Sequence, residues 1–235
     1  MAKEETSSQI SIENVEVALT KAEKFIEDNK KIIIIVASVI IIIIGGIFLY
    51  KKVYLTNKED EAQKQMFVAE QYFEKDSFNL ALNGNGSYPG FIEIIEDYGI
   101  TKSANLARYY AGISLLRLGK FEDAIEKLKD FKTNDLMIAP ISLGAIGDAY
   151  VELGKLQEGV AYYVKAYKKN NNEYTAPVYL MKAGQVYENI GEYQKAIDTY
   201  KQLQKDYSKT NDARQIEKYI TRASLELERK SSTQK

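Results

Sequence analysis

The sequence predicts an all-α protein with a transmembrane helix near the N-terminus, then an α-solenoid of stacked helix pairs, and a capping helix at the C-terminus. Two observations support this prediction. Residues 32–50 form one apolar run of 19 residues. Three later segments share a sparse pattern of glycine, small and large residues, with their central glycines 35 and 37 residues apart.

Composition excludes several classes of function. The chain has 235 residues and no His, Cys or Trp. Without His and Cys it can form no Ser-His-Asp triad, no Cys nucleophile, no thiolate or imidazole zinc site and no disulfide. We expect no cofactor and no enzyme activity, because the acidic cluster of Glu93, Glu96 and Asp97 is typical of a solvated helix face.

Charge gives no indication of a nucleic-acid partner. The 32 Lys and Arg balance 33 Asp and Glu, and no arginine-rich block could follow a phosphate backbone. Most of the 18 tyrosines fall on repeat or core positions, so we interpret them as packing residues rather than as surfaces for stacking bases.

The apolar run of residues 32–50 reads IIIIVASVIIIIIGGIFLY, and lysines flank both of its ends. At a rise of about 1.5 Å per residue it extends roughly 28 Å, close to the thickness of the hydrocarbon core of a bilayer. We expect an uncleaved signal anchor, because the run is longer than that of a signal peptide and no small-residue cleavage site follows. Orientation stays open under the positive-inside rule, because four lysines lie near each end: Lys21, Lys24, Lys30 and Lys31 before it, and Lys51, Lys52, Lys58 and Lys64 after it.

Residues 1–31 are predicted to be a cytoplasmic tail that carries an amphipathic helix. From Ser11 to Lys30, apolar residues recur at steps of three and four while charges occupy the other faces; the apolar stripe is Ile12, Val15, Leu19, Ala22 and Ile26. Two interpretations remain open: a helix that meets a partner or the membrane surface, and a solvated extension of the membrane span.

Residues 51–103 are predicted to be a linker and a degenerate first helix pair. Glu59–Leu82 is helix-prone, NGNGSYPG (Asn83–Gly90) breaks it, and Phe91–Gly99 resumes a short helix. Asn83, Asn85 and Ser87 alternate like calcium-loop ligands, but the loop has no carboxylate, so we expect a plain loop and no metal site.

Three repeat units follow: Asn105–Phe131, Pro140–Tyr167 and Pro177–Gln204. They share five positions. The central glycines are Gly112, Gly147 and Gly184, and the turn glycines are Gly119, Gly154 and Gly191. An aromatic residue or leucine follows (Phe121, Leu156, Tyr193), then a small residue (Ala124, Gly159, Ala196) and a large one (Leu128, Tyr163, Tyr200). The pattern predicts two helices that approach closely at the central glycine, with the turn glycine ending the first helix in a left-handed conformation. Pro140 and Pro177 fit the first turns of their helices.

This pattern resembles the tetratricopeptide repeat, and the resemblance covers three units over residues 104–207. Arg108 and Gly159 depart from the usual residues of that repeat. After the units, Asn211–Lys230 is predicted to be one capping helix, with a disordered tail completing residues 208–235.

The resemblance implies a concave surface formed by the first helices of the units. The partner-binding candidates on it are Leu106, Tyr109, Ile113, Leu116, Arg117, Asp148, Val151, Glu152, Met181, Gln185, Glu188 and Asn189. Ile141, Gly144 and Val178 are further expected lining positions. The first unit's set is notably apolar, and two interpretations stay open: a contact site, or a surface that the degenerate first pair covers.

The overall layout resembles single-span bacterial inner-membrane proteins with tetratricopeptide repeats, such as the YfgM type, which sits beside the Sec translocon and works with periplasmic chaperones. That resemblance implies a cytoplasmic N-terminus and a periplasmic repeat domain. The sequence therefore predicts a non-catalytic scaffold that contacts the lipid bilayer through residues 32–50 and binds a protein or peptide partner. The alternatives are a self-associating structural protein (a homo-oligomer or a subunit of a membrane complex), and the same scaffold facing the cytoplasm.

Overall fold

The structure is a computed structural model that describes residue 20 and residues 23–233. The chain divides into two compact units, Met1–Asn57 and Lys58–Lys235. The described residues are helical with intervening turns and contain no strand, which confirms the predicted all-α fold class.

In the first compact unit, residues 23–28 are helical, and helix α1 spans Lys30–Leu49. A π-helix, Tyr50–Leu55, follows α1. No side chain of α1 is buried, and the hydroxyl of Ser38 donates to the carbonyl of Ile34 at 2.8 Å, so its one hydroxyl is satisfied within the helix. By length and composition, the described residues contain one helix able to cross a membrane, and it includes this apolar run. Most of the stripe predicted for Ser11–Lys30 lies outside the described residues: Ile12, Val15, Leu19 and Ala22.

The segment between the π-helix and the repeat units forms three helices: α2 (Thr56–Glu74), α3 (Phe78–Asn83) and α4 (Phe91–Asp97). The helix-prone segment Glu59–Leu82 is helical in two parts, α2 and α3, with a break at residues 75–77 that was not predicted. The chain turns after Glu74 through Asp76, whose φ is 55°, and the amide of Ser77 donates to the carbonyl of Tyr72 at 2.9 Å. The predicted break after α3 is confirmed.

α2 and α4 pack on the first repeat unit. Buried residues of both helices join one core with the alanines of the next helix, and the core includes Ala62, Met66, Ala69, Phe91, Ile94, Ala104, Ala107 and Ala111. The Glu59 carboxylate accepts from the amides of Lys102 and Ser103 at 2.6 and 3.0 Å. It thereby caps the N-terminus of that helix from another element.

Three helix pairs form the repeat region. They are α5 (Lys102–Arg117) with α6 (Phe121–Asp130), α7 (Ile138–Glu152) with α8 (Leu156–Lys169), and α9 (Ala176–Asn189) with α10 (Tyr193–Asp206). Gly119, Gly154 and Gly191 separate the members of each pair with φ of 75°, 72° and 74°. The left-handed turns predicted at these three positions are confirmed.

The central glycines are contact points between the helices of each pair. A Cβ built on Gly112, Gly147 or Gly184 would lie 2.5, 2.6 and 2.2 Å from side-chain atoms of Leu128, Tyr163 and Tyr200 respectively. These are the large residues of the repeat pattern, and each occupies the space that an alanine methyl would need. The predicted close approach at the central glycines is confirmed.

The capping segment differs from its prediction. Instead of one helix over Asn211–Lys230, there is a short α11 (Asn211–Arg214) and a long α12 (Glu217–Thr233). The Thr210 hydroxyl accepts from the Ala213 amide at 3.3 Å and begins the short helix, and the Ile216 amide donates back to the Ala213 carbonyl. α12 also extends past Lys230 to Thr233. Residues 231–233 are therefore helical, although they were expected to belong to a disordered tail.

Candidate functional site

A groove of about 620 Å³ lies between the first helices of units one and two. It contains eight of the positions that the sequence places on the concave surface: Tyr109, Ile113, Leu116, Arg117, Ile141, Asp148, Val151 and Glu152. α5 contributes four of them and α7 the other four. Residues 32 or more apart in sequence, such as Tyr109 and Ile141, therefore meet in one concave site.

The apolar wall of the groove comes from α5. Tyr109, Ile113 and Leu116 are half-buried and pack against the buried cluster that includes Ile125, Leu128 and Ala145. Leu106, one turn before Tyr109, packs against the core that α5 shares with α2–α4, and Leu116 packs against both cores. The apolar face of α5 thus contacts two buried cores, and three of its residues, Tyr109, Ile113 and Leu116, also line the groove.

The polar part of the groove centres on Asp148. Its carboxylate accepts from the Tyr163 hydroxyl and from the Lys182 ammonium, each at 2.6 Å. Burial, followed by the nearby Asp148 carboxylate, raises the pKa of Tyr163, so this hydroxyl stays a donor. The Tyr163 and Tyr179 rings stack with centroids 6.2 Å apart, and the Lys182 ammonium lies 5.5 Å from the first of these rings.

Two charged residues remain available at the ends of the first helices. Arg117 and Glu152 are both exposed and line the groove. Neither takes part in an ion pair within the described residues. The groove therefore combines a half-buried apolar wall with one free positive and one free negative group.

The predicted residues of unit three lie outside this groove. Gln185, Asn189 and Val178 are exposed and Met181 is half-buried, but none of the four lines the cavity. Glu188 is bound within the protein, because its carboxylate accepts from the Tyr200 hydroxyl at 2.6 Å and from the Arg222 guanidinium at 2.7 and 2.8 Å.

The expectation that Gly144 lies on the concave surface is wrong. Gly144 is buried, and a Cβ there would lie 1.9 Å from Cε1 of Tyr179. The ring of Tyr179, from the next unit, fills the position that a surface side chain would take. Glycine at this site permits packing between units.

Sequence reasoning missed several groove residues. Phe121 and Tyr163 were predicted as packing residues, and Ala145 and Tyr179 had no predicted role, yet all four line the groove. The repeat pattern contained a signal for Tyr163, because it follows Gly147 by the same interval at which Tyr200 follows Gly184. Lys182 could not have been found, since its role depends on Asp148 in another unit.

A metal site can be assessed within the described residues. Among residue 20 and residues 23–233, no group of three or more acidic side chains is placed to hold a metal ion. The groove's chemistry is that of a binding surface: apolar contact, tyrosine hydroxyls and single charges.

Comparison with known proteins identifies the repeats. Residues 106–135 and 145–210 match two family models, both described as tetratricopeptide repeat. The fold is similar to two crystal structures of a Podosopora anserina protein described as a kinesin light chain with nearly identical TPR-like repeats. Each has a TM-score of 0.56 and 14% sequence identity, and the match covers 75% of this chain and 91% of that chain.

A crystal structure of MamA also matches, with a TM-score of 0.48, 20% identity and coverage of 70% of this chain and 97% of that chain. None of the curated protein sequences matches the chain. The described architecture and the family models together show that the chain carries tetratricopeptide repeats in an all-helical fold.

Proposed function

Because the chain carries tetratricopeptide repeats, we propose that it is a membrane-anchored, non-catalytic adaptor that holds a protein or peptide partner in the groove between units one and two. The observation that carries this proposal is the groove of about 620 Å³ with its half-buried apolar wall. A surface of this kind gains free energy when a partner covers it, since burying one large apolar side chain stabilises a complex by about 1.5–3 kcal/mol.

The groove also indicates the character of the partner segment. Tyr109, Ile113 and Leu116 favour apolar side chains from the partner. Arg117 and Glu152 are free to pair with charges at its ends. Such rim charges fix register and orientation more than they raise affinity.

We propose that residues 32–50 anchor the chain in a bacterial inner membrane, with residues 1–31 in the cytoplasm and residues 53–235 in the periplasm. Residues 51–103 then connect the anchor to three repeat units in 104–207, and residues 208–235 cap the last unit. The apolar α1 and the resemblance in layout to YfgM-type proteins support this arrangement, as they support a position near the Sec translocon or periplasmic chaperones.

The partner site can be tested by placing a photoreactive residue at position 152 in the full-length chain and crosslinking in intact membranes. We expect a discrete crosslinked partner, because position 152 lies at the rim of the groove. Reversing the charge of the neighbouring Arg117 with Arg117→Glu should reduce the yield several-fold, because the exposed guanidinium is free to pair with the partner.

The matched control carries the photoreactive residue at Asp198, an exposed position of α10 outside the groove. The proposed groove would be contradicted if position 198 gave the same crosslinked partner in the same yield as position 152. It would also be contradicted if Arg117→Glu left the crosslinking yield at position 152 unchanged.

A further inference from the structure

A second cavity, of about 300 Å³, lies on the opposite side of α7 from the groove. Its apolar floor includes Leu128, Phe131, Leu143 and Ile146, contributed by α6, α7 and the residue that follows α6. Its remaining wall carries Tyr162 and three lysines: Lys129, Lys165 and Lys169. These residues define the lysine cavity.

The lysine cavity and the groove use different faces of one helix. α7 contributes Ser142, Leu143 and Ile146 to the cavity, whereas Ile141, Ala145 and Asp148 line the groove. No residue lines both sites. A ligand in the cavity would therefore leave the groove free.

The three lysines have no acidic partner among the described residues. None of them forms an ion pair there. The Lys129 ammonium donates to the Tyr150 hydroxyl at 2.9 Å, and this hydrogen bond is the main reason that the pKa of Lys129 is raised. The Lys165 ammonium lies 4.3 Å from the centroid of the Tyr162 ring. Positive charge is thus concentrated beside an apolar cavity without a counter-charge.

Two stacked tyrosine rings lie against the ammonium of Lys129. Tyr150 and Tyr162 stack with centroids 5.4 Å apart, and Lys129 lies 5.4 Å from one ring and 5.9 Å from the other. Lys129 also lines the cavity, and these cation–π contacts hold its ammonium without neutralising it. An incoming carboxylate could pair with it at once.

We propose that the lysine cavity binds an acidic peptide segment in which an aspartate or glutamate stands next to a large apolar residue. The apolar side chain occupies the floor, and the neighbouring carboxylates pair with the lysines. The cavity is at the small end of the roughly 300–1,000 Å³ range of ligand pockets, which suits one or two side chains.

The arrangement of charges favours a peptide over a single compact anion. Lys165 and Lys169 lie one helical turn apart on α8, while Lys129 comes from α6. Three ammonium groups on two helices match carboxylates that are distributed along a segment, and each lysine acts as a point charge without fixed bidentate geometry. A lone phosphate would use the charges but leave the apolar floor uncovered.

The test titrates the full-length chain in non-ionic detergent with a short fluorescent peptide in which acidic residues alternate with leucine and phenylalanine. We expect saturable binding that weakens as salt is added. The same peptide with asparagine and glutamine in place of its acids should bind roughly tenfold more weakly. Equal binding of the acidic and the amide peptide would overturn the proposal.

Variants then locate the site. Lys165→Gln with Lys169→Gln should weaken the acidic peptide roughly tenfold, because two of the three cavity charges are removed. The control pair, Lys201→Gln with Lys205→Gln, removes two exposed lysines of α10 outside the cavity and should leave binding unchanged. Lys165→Arg with Lys169→Arg keeps both charges and should retain most of the binding. Binding that survives the first pair would refute this location.

Two further measurements distinguish the peptide from other ligands of the lysine cavity, and the lysine cavity from the groove. Inorganic phosphate that displaces the peptide at similar concentration, or vesicles of acidic phospholipid that do so while neutral vesicles do not, would replace the peptide by those ligands. Arg117→Glu changes the groove only, so the peptide should bind this variant as it binds the unaltered chain. The inference therefore succeeds or fails independently of the proposed groove.

Discussion

Tyr163 and Tyr200 show how one residue can serve both packing and polar contact. Each ring lies over the central glycine of its own unit, and each hydroxyl donates to a carboxylate on the first helix of that unit, at 2.6 Å in both cases. Burial raises the pKa of both phenols, so they remain donors at neutral pH. In unit two this bond orients Asp148 in the groove, whereas in unit three it holds Glu188 toward the capping helix.

Gly184→Ala tests the packing at the central glycine. The new methyl would lie 2.2 Å from Cε1 of Tyr200, which is fully buried and has no open space to move into. We expect the free energy of unfolding to fall by about 1–3 kcal/mol, as is usual when a packed core is overfilled. Thermal unfolding followed by circular dichroism measures the effect. Gln185→Ala, at the next and exposed position, is the control and should change stability by less than about 0.5 kcal/mol.

At the scale of elements, the final helix α12 is tied to the first helix of unit three. Arg222 binds the Glu188 carboxylate through two hydrogen bonds, and the Lys230 ammonium donates to the Gly191 carbonyl at 3.0 Å. On the same helix, Ile220 and Ala223 join the buried core of unit three. α12 therefore covers the apolar end of the stack, as a terminal helix of a repeat protein must.

Arg222→Gln should detach part of this cap. The Glu188 side chain is only 12% exposed and would lose its charged partner, so we expect a loss of about 1 kcal/mol in unfolding free energy. Arg229→Gln, on the same helix, is the matched control. The Arg229 side chain lies 3.0 Å from the Glu226 carboxylate, but it is 78% exposed and the Glu226 side chain is 38% exposed. This ion pair should contribute about 0.5 kcal/mol or less to the free energy of unfolding. Equal destabilisation by the two variants in thermal unfolding would contradict the special role of Arg222.

The comparison of elements shows which features a sequence can predict. The turn and central glycines were predicted correctly, because their roles depend on local backbone conformation and on partners at a constant spacing in each unit. The break at Asp76 was missed, because no proline or glycine marks it. Gly144 was misplaced since its neighbour, Tyr179, belongs to the next unit. The lysine cavity was not predicted either, because three elements must meet to form it.

At the scale of the whole molecule, the repeat region has two separate cavities, which we propose as binding sites, and the N-terminal region has one apolar helix. The groove and the lysine cavity differ in chemistry: the first has a mixed pair of free charges, and the second has only positive ones. With a net charge of −1, the chain as a whole attracts neither sign of partner, so we expect any selection between partners to occur at these local surfaces. With residues 32–50 in a membrane as we propose, the side on which residues 53–235 lie decides which proteins can reach these surfaces.

A reporter enzyme that is active only on the periplasmic side, fused after Lys235, tests that orientation. We expect activity, and no activity when the same reporter precedes Met1. The four lysines on each side of residues 32–50 leave the charge bias balanced, so the orientation should respond to small changes in it. Lys51→Gln with Lys52→Gln removes two lysines after the span and should keep the C-terminal reporter active, whereas Lys30→Gln with Lys31→Gln should lower its activity. A C-terminal reporter that is inactive in the unaltered chain, while the fusion remains in the membrane fraction, would place the repeats in the cytoplasm and remove periplasmic proteins from the candidates for both sites.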